Sequence, residues 1–566
     1  MIPAWKQLKV KKDKRTRYYI NPVRIVWHNG DEQHTIIERS DLLLAGWDGQ
    51  AVHDSSSRAT TILRHAGAAP SLLLDFGTEL HGGIQLGVLV GSNEKSRSAR
   101  FRVRFGESAM EAMSELGGTT NATNDHAVRD RQLEVSYMGT ETIGNSGFRF
   151  VRIDFVDEGH EIQILGVNAV ALMYELEYKG SFRCNDELLN RIWSTGAYTV
   201  HLNIQNYLWD GIKRDRLVWT GDMHPETSTI QAVFGYHDVV PRSLDFIRDE
   251  TPLPEWMTTF PTYSIWWLLV HHDWFMHNGD LEYLQGQKSY MQELVRQLGS
   301  CVQENGTIEI PNPFLDWPSF NNPQGVAAGV HALFIWCMDA SAKLFQHMED
   351  EESASYCRRV GSVLCQVTPD HNGSKQAASL LSLVGLLDPW QANEKVIAPN
   401  SPKGYSTFYG YYLLKARALA GDIQGSLDSI KTYWGGMLEL GATTFWEDFD
   451  IDWMNNAARI DELTPEGKID VHGTYGGYCY EGYRHSLCHG WASGPTAWLS
   501  EHVLGISVIE PGCRQLKIEP QLGDLEWVEG TFPTPLGIVK VKHVKQADGS
   551  IHSEIEAPEG VTIITP

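Results

Sequence analysis

From about residue 182 to 504 the apolar residues recur at helical spacing in one stretch after another, with no strand pattern between them. NDELLNRIWSTGAYTVHLNIQNYL sets Leu188, Leu189, Ile192 and Trp193 on one face, behind Asn185 or Asp186 as the N-cap. About ten such stretches fit into roughly 320 residues. Without βαβ alternation, that run excludes a doubly wound sheet. It predicts a barrel of helical hairpins, an α/α toroid.

The flanks read differently. Upstream, SLLLDFGTELHGGIQLGVLVG has short apolar runs broken by glycine, and FRVRFGES sets Phe101, Val103 and Phe105 against Arg102 and Arg104. GFRFVRIDFVD places Phe148, Phe150 and Val151 toward a core. Period-2 patterns between turn signals predict an antiparallel sandwich. SELGGTTNATNDHAVRD is polar and aperiodic, which predicts a long loop. Strand patterns return near residue 505 in CRQLKIEPQL, GIVKVKHVKQ and SIHSEIEAP. The expected domains are 1–180, 181–504 and 505–566: N-terminal β-sandwich, catalytic barrel, C-terminal β-sandwich.

Composition narrows the partners. The 71 acidic residues outnumber the 47 basic ones, for a net charge of -24, a field that repels phosphate backbones and anionic membrane surfaces. No nucleic acid or membrane partner is expected, and no apolar run of about 18 residues is read. The N-terminal residues are basic with no apolar stretch behind them, so no signal peptide is read and a cytoplasmic location is expected. The eight cysteines form no CxxC pair, which favours scattered thiols over a disulfide scaffold or a zinc site. Neither cofactor nor metal is implied. Oligomeric state is left open.

Four segments concentrate polar chemistry beside aromatic rings. WDGIKRDRLVWTGDMHPE carries Asp210, Asp215, Asp222 and Glu226 among Lys213, Arg214 and Arg216, with Trp209 and Trp219 as apolar walls. GATTFWEDFD sets Glu447 beside Trp446, where burial raises a carboxyl pKa. PNPFLDWPSF stiffens Asp316 and Trp317 between prolines. RHSLCHGWASGP offers His485 and His489 next to Trp491. Each segment by itself also reads as a salt-bridged surface or as core. Together they suit a sugar: carboxylates and arginine bind hydroxyls, tryptophan covers ring faces, and two carboxylates run acid–base hydrolysis. The chain has no Walker loop, GxGxxG before a helix, HExxH or GxSxG.

Residues 209–226, with GATTFWE and SLCHGWASGP, resemble bacterial α-L-rhamnosidases of glycoside hydrolase family 78. The resemblance implies a central (α/α)6 six-hairpin barrel flanked by two antiparallel β-sandwich domains. It also implies an inverting exo-glycosidase that removes a terminal α-L-rhamnose-like sugar. The family's first motif, Asp-Cys-Pro-x-Arg-Glu-Arg-x-Gly-Trp-x-Gly-Asp, falls here on Asp210 to Asp222. By that alignment Asp210, Arg214 and Asp222 bind hydroxyls and Trp219 forms a wall. Asp215 stands where the family has its general acid, Glu447 matches the general base, and His489 matches a histidine lining the sugar site. Trp446, Asp316 and Trp317 complete the expected substrate contacts. Two departures stand out: Gly211-Ile212 replaces Cys-Pro, and Asp215 is one methylene shorter than glutamate. Glu226 is therefore the alternative acid. The rival functions are an α/α-barrel glycosidase for another sugar, including an acidic one held by Arg214 and Arg216, and a non-catalytic carbohydrate-binding relative.

Overall fold

The computed structural model describes residues 12–31, 33–50, 59–478 and 480–565. The first eleven residues of the basic N-terminus, and Cys479, lie outside them. Two compact units divide the chain: Met1–Phe105 with Asp130–Leu176, and Gly106–Arg129 with Glu177–Pro566.

The first unit is built on a nine-stranded sheet. Its spine is three long strands, Ser71–Gly91, Gly139–Phe155 and Glu161–Met173, paired antiparallel. Phe101, Val103, Phe105, Phe148, Phe150 and Val151 are all buried, as the alternation requires. Arg104 departs from the pattern. It was read as facing away from the core, but it is buried and donates to Asp154 Oδ2 at 2.7 Å, so its charge is paired inside the fold.

The second unit contains the helical barrel. Six helices close a ring by contact in sequence order: Met223–Val233, Pro261–Asn278, Pro323–His347, Lys375–Leu383, Gly410–Leu419 and Gly494–Trp498, the last returning to the first. Apolar residues cover most faces of these helices, because each is packed on its neighbours and on the outer layer. Pro323–His347 is long and apolar enough to cross a membrane by length and composition, a property the sequence reading missed, but it is largely buried inside this ring. An outer helix precedes each inner one, among them Glu187–Asn203, Val239–Asp249, Leu281–Ser300, Glu351–Leu364 and Ile423–Glu439. The outer helices are amphipathic, and four of the five named begin on side-chain caps: Asp186, Asp280, Asp350 and Asp422 each accept from a backbone N–H of the first turn. Of the two candidate caps for the first helix, Asp186 takes the role.

The C-terminal region forms a four-stranded sheet from Ser181–Cys184, Trp527–Thr534, Gly537–Lys545 and Ile551–Glu556. A three-stranded sheet lies beside it in sequence, made of Ile506–Glu510, Gln515–Ile518 and Thr562–Ile564. The pairing of Gln515–Ile518 with Thr562–Ile564 is parallel, a local departure from the antiparallel expectation, because the final strand returns without a hairpin. The strand Ser181–Cys184, read as the start of the barrel, pairs with Val528–Thr531 of this sheet.

Candidate active site

The functional side chains gather where the inner helices begin. Asp222 opens Met223–Val233, Phe260 precedes Pro261–Asn278, Phe314 and Trp317 precede Pro323–His347, and His489 and Trp491 precede Gly494–Trp498. Helix N-termini carry partial positive charge and favour carboxylates beside them. The result is a narrow pocket with a cavity volume of about 50 Å³. Asp210, Arg214, Asp215, Trp219, Asp222, Trp317, Glu447 and His489 line it, all of them expected from the sequence. Larger clefts lie elsewhere, one of them over Ser181–Arg183 and Lys540–Lys542, but Phe182 is the single aromatic residue in that cleft's lining.

Backbone pairing sets the registration of these groups. Gly490 N–H donates to Asp210 O at 2.8 Å, and Gly211 and His489 form an antiparallel bridge. Leu217 N–H donates to Asp210 Oδ1 at 2.9 Å, so the Asp210 carboxyl closes its own loop. At the tip of that loop Asp215 (φ 54°) and Arg216 (φ 58°) both take the left-handed conformation. For residues other than glycine this costs on the order of 1–3 kcal/mol each and persists where surrounding contacts impose it.

Glu447 is buried. Its Oε2 accepts from Ser486 N–H at 3.0 Å, and its backbone oxygen accepts from Trp491 Nε1 at 2.9 Å and Thr407 Oγ1 at 2.6 Å. Arg214 reaches both carboxylates: one terminal nitrogen donates to Glu447 Oε1 and the other lies 3.7 Å from Asp215 Oδ1. The guanidinium also rests on the Tyr480 ring at 5.1 Å. His489 Nε2 is 3.0 Å from Asp222 Oδ1, while Nδ1 faces Glu447 Oε1 from 3.9 Å. Burial disfavours the His489 charge, but Glu447, Asp222 and Asp210 outweigh it and push its pKa up to about 9. Burial, with repulsion from Asp215 and Asp222, raises Asp210 well above the usual carboxylate range. Desolvation, then the neighbouring Glu447 charge, push half-buried Asp448 up to about 7.

Three expected residues lie outside the lining. Glu226 is fully buried behind Gly490. Burial, then the charges of Asp222 and Asp210, raise its pKa well above the usual carboxylate range under the pocket floor. Trp446 is buried against Phe449 and His485. Asp316 is buried and accepts from Ser406 Oγ at 2.7 Å and Ser319 N–H at 3.0 Å, which ties the Trp317 loop to the barrel. The sequence reading did not assign Phe260, Tyr263, Phe314 and Tyr480 to the pocket they line, and it named Trp491 only as a neighbour of the histidines.

Beneath the loop lies a cluster that also went unread. Lys213 Nζ sits 3.0 Å from Glu107 Oε2 and 3.2 Å from Glu111 Oε1, and it donates to the carbonyls of Tyr483 and His485 at 2.8 and 2.7 Å. Glu107, Glu111 and His472 bring three potential metal-ligating atoms within 4.8 Å of one another. The Lys213 ammonium already supplies the positive charge there, so the cluster does not fit a metal. The seven described cysteines are free thiols.

Carboxylates, one arginine and stacked rings at the mouth of an α/α barrel define a glycosidase-type architecture. The comparisons narrow the class. Residues 177–363 match the family model of the bacterial alpha-L-rhamnosidase six-hairpin glycosidase domain, and residues 505–564 match that of the bacterial alpha-L-rhamnosidase C-terminal domain. The resemblance read from Asp210–Asp222 is thereby borne out for these two domains. Comparison with curated proteins finds no match. Among solved structures, the GH78 family rhamnosidase of Bacillus sp. GL1 superposes with a TM-score of 0.71 at 21% identity, over 88% of this chain and 53% of its own. The rhamnosidase from Klebsiella oxytoca, solved with rhamnose bound, gives 0.65 at 19%, over 86% and 96%. The Streptomyces avermitilis alpha-L-rhamnosidase complexed with L-rhamnose gives 0.68 at 17%, over 88% and 48%. The chain thus spans about half the length of the Bacillus and Streptomyces proteins. These likenesses establish the shared fold.

Proposed function

We propose that the protein is an inverting exo-glycosidase that releases a terminal α-L-rhamnose or a closely similar sugar, with Asp215 as general acid and Glu447 as general base. The observation that carries this reading is the placement of Asp215 and Glu447 in one aromatic-walled pocket, on two arms of the same Arg214 guanidinium. Asp215 protonates the glycosidic oxygen as the bond breaks. Glu447 takes a proton from a water attacking the opposite face of the sugar. Asp222, His489 and Arg214 hold hydroxyls, and Trp219 covers an apolar face with its Nε1–H free for an acceptor.

The acidic-sugar alternative loses support. Arg216 stacks on Trp209 at 4.7 Å and donates to the His126 carbonyl outside the pocket, and the charge of Arg214 is already balanced by two carboxylates, which leaves it to bind neutral hydroxyls. Glu226 also loses support as the acid, because it does not line the pocket.

The test is hydrolysis of a panel of aryl glycosides, with proton NMR of the first sugar anomer released. Inversion requires carboxyls roughly 6.5–9.5 Å apart and gives the opposite anomer first. Preference for another sugar, a retained anomer, or binding without product overturns the reading.

A further inference from the structure

His126 belongs to the segment Gly106–Arg129, which packs within the barrel unit. The sequence reading treated that stretch as loop. Its Nδ1 lies 3.6 Å from Asp215 Oδ1. His126 (φ 67°) shares the left-handed conformation of Asp215 and Arg216, so three residues in sterically disfavoured backbone meet at one carboxyl. Arg216 donates to the His126 carbonyl at 3.2 Å, Arg484 pairs with Asp125 at 3.1 Å, and Arg129 N–H donates to Asn124 Oδ1 at 2.9 Å. The segment is fixed on both sides of the imidazole. The two side chains also differ from the rest of the site in solvent access: His126 is 29% and Asp215 20% exposed, whereas Glu447 and His489 are almost fully enclosed.

We propose that His126 is the proton-relay partner of Asp215, a positioning residue that reloads the acid from solvent. The proposal rests on the reading of Asp215 as general acid. A general acid must carry a proton at the moment of bond cleavage, and His126 is the titratable side chain next to the Asp215 carboxyl on its solvent side. Protonated His126 passes its Nδ1–H proton to Asp215 Oδ1, and the carboxyl so formed gives that proton to the glycosidic oxygen as the bond breaks, so the leaving group departs as a neutral hydroxyl compound. His126 is left neutral and takes its next proton from solvent. Glu447 meanwhile accepts the proton of the attacking water and returns it to solvent, which closes the cycle without any other reactant. The shorter Asp215 side chain is thus backed by a second titratable group.

The experiment compares His126→Ala, His126→Gln and Asp215→Asn with the unmodified protein. Two substrates are used, an alkyl α-L-rhamnoside and a dinitrophenyl α-L-rhamnoside, with and without added imidazole. General acid catalysis contributes about 10²–10⁴-fold and is needed least for a good leaving group. The expected result is a loss of about tenfold or more for both His126 variants on the alkyl substrate, and less than about threefold on the dinitrophenyl one. Imidazole restores His126→Ala toward the parent and leaves Asp215→Asn unchanged. Equal losses on both substrates, no loss in His126→Gln, or no imidazole effect on His126→Ala overturns the relay. If Asp215→Asn itself shows no leaving-group dependence, the acid assignment fails instead. If His126→Ala does not fold, His126→Gln carries the leaving-group comparison and His126→Gly the imidazole rescue.

Discussion

Gly490 is the point where the pocket floor meets the buried acid beneath it, and adding one methyl there tests how the floor is held. A Cβ on Gly490 would lie 1.6 Å from Glu226 Oε1, 2.3 Å from Cδ and 2.6 Å from Cγ. Ordinary contact is about 3.5–4 Å, so the atoms must separate by roughly 2 Å. Glu226 is fully buried and has no open space to swing into. The backbone at 489–491 therefore moves, although its N–H is bonded to Asp210 O at 2.8 Å. Overpacking of this kind costs about 1–3 kcal/mol. Shifting His489 by about 1 Å costs on the order of 100-fold in rate. Gly490→Ala is expected to lower the urea midpoint and to cut kcat/KM on an aryl α-L-rhamnoside by about that factor. Glu226→Ala removes the atoms the methyl strikes, so the double variant should be more stable than the sum of the single losses by about 1–3 kcal/mol. Four proteins, urea unfolding and one substrate suffice. A neutral Gly490→Ala, or effects additive to within about 0.5 kcal/mol, refutes the account of the floor.

Glu447→Gln keeps the shape and removes the proposed base; turnover of an activated rhamnoside should fall by about 10²–10⁴-fold while rhamnose still binds by calorimetry. Lys213→Met leaves two buried carboxyls without their cation and should cost about 3–5 kcal/mol by urea unfolding at pH 8. That deficit should shrink as pH falls toward 7 and level off below it, because burial first, and then Glu111, push Glu107 up to about 7 even against the opposing pull of Lys213, and without the lysine the carboxyl takes its proton at still higher pH. For His489 the folded pKa of about 9 lies above the unfolded 6.5, so its contribution is complete below about pH 6.5 and lost as pH rises through 9. The stability gap between the parent and His489→Asn should therefore close by on the order of 3 kcal/mol over that window; a gap independent of pH refutes the ion-pair account.

The three blocks of the chain were legible because hydrophobic period is local: Phe101, Val103 and Phe105 alternate, and Leu189, Ile192 and Trp193 follow a helix. Of the motif, Asp210, Arg214, Asp215, Trp219 and Asp222 line one pocket with Glu447. Phe260, Phe314 and Tyr480 were not legible as site residues, because each is an ordinary aromatic whose role comes from standing before an inner helix or on a loop over the barrel mouth. Trp446 and Asp316 were overread. A ring or carboxyl next to a site residue in sequence can point away from it, and these two face the core and a serine pair. His126 was missed because the polar stretch around it has no period, and only tertiary contacts bring it to Asp215.

The strand Ser181–Cys184 stands just before the first barrel helix, yet its ladder partner is Val528–Thr531, and Ser181 Oγ meets Thr531 Oγ1 across 350 positions of sequence. On the ribosome this strand emerges long before the residues that complete it. Until then it presents an open edge of unpaired N–H and C=O groups. Closing so long a loop carries an entropic cost, which long-range contacts repay only at the end. The start of the barrel is thus latched by a segment synthesised 350 positions later. A chain released early, with all its helices present, would still lack its clasp.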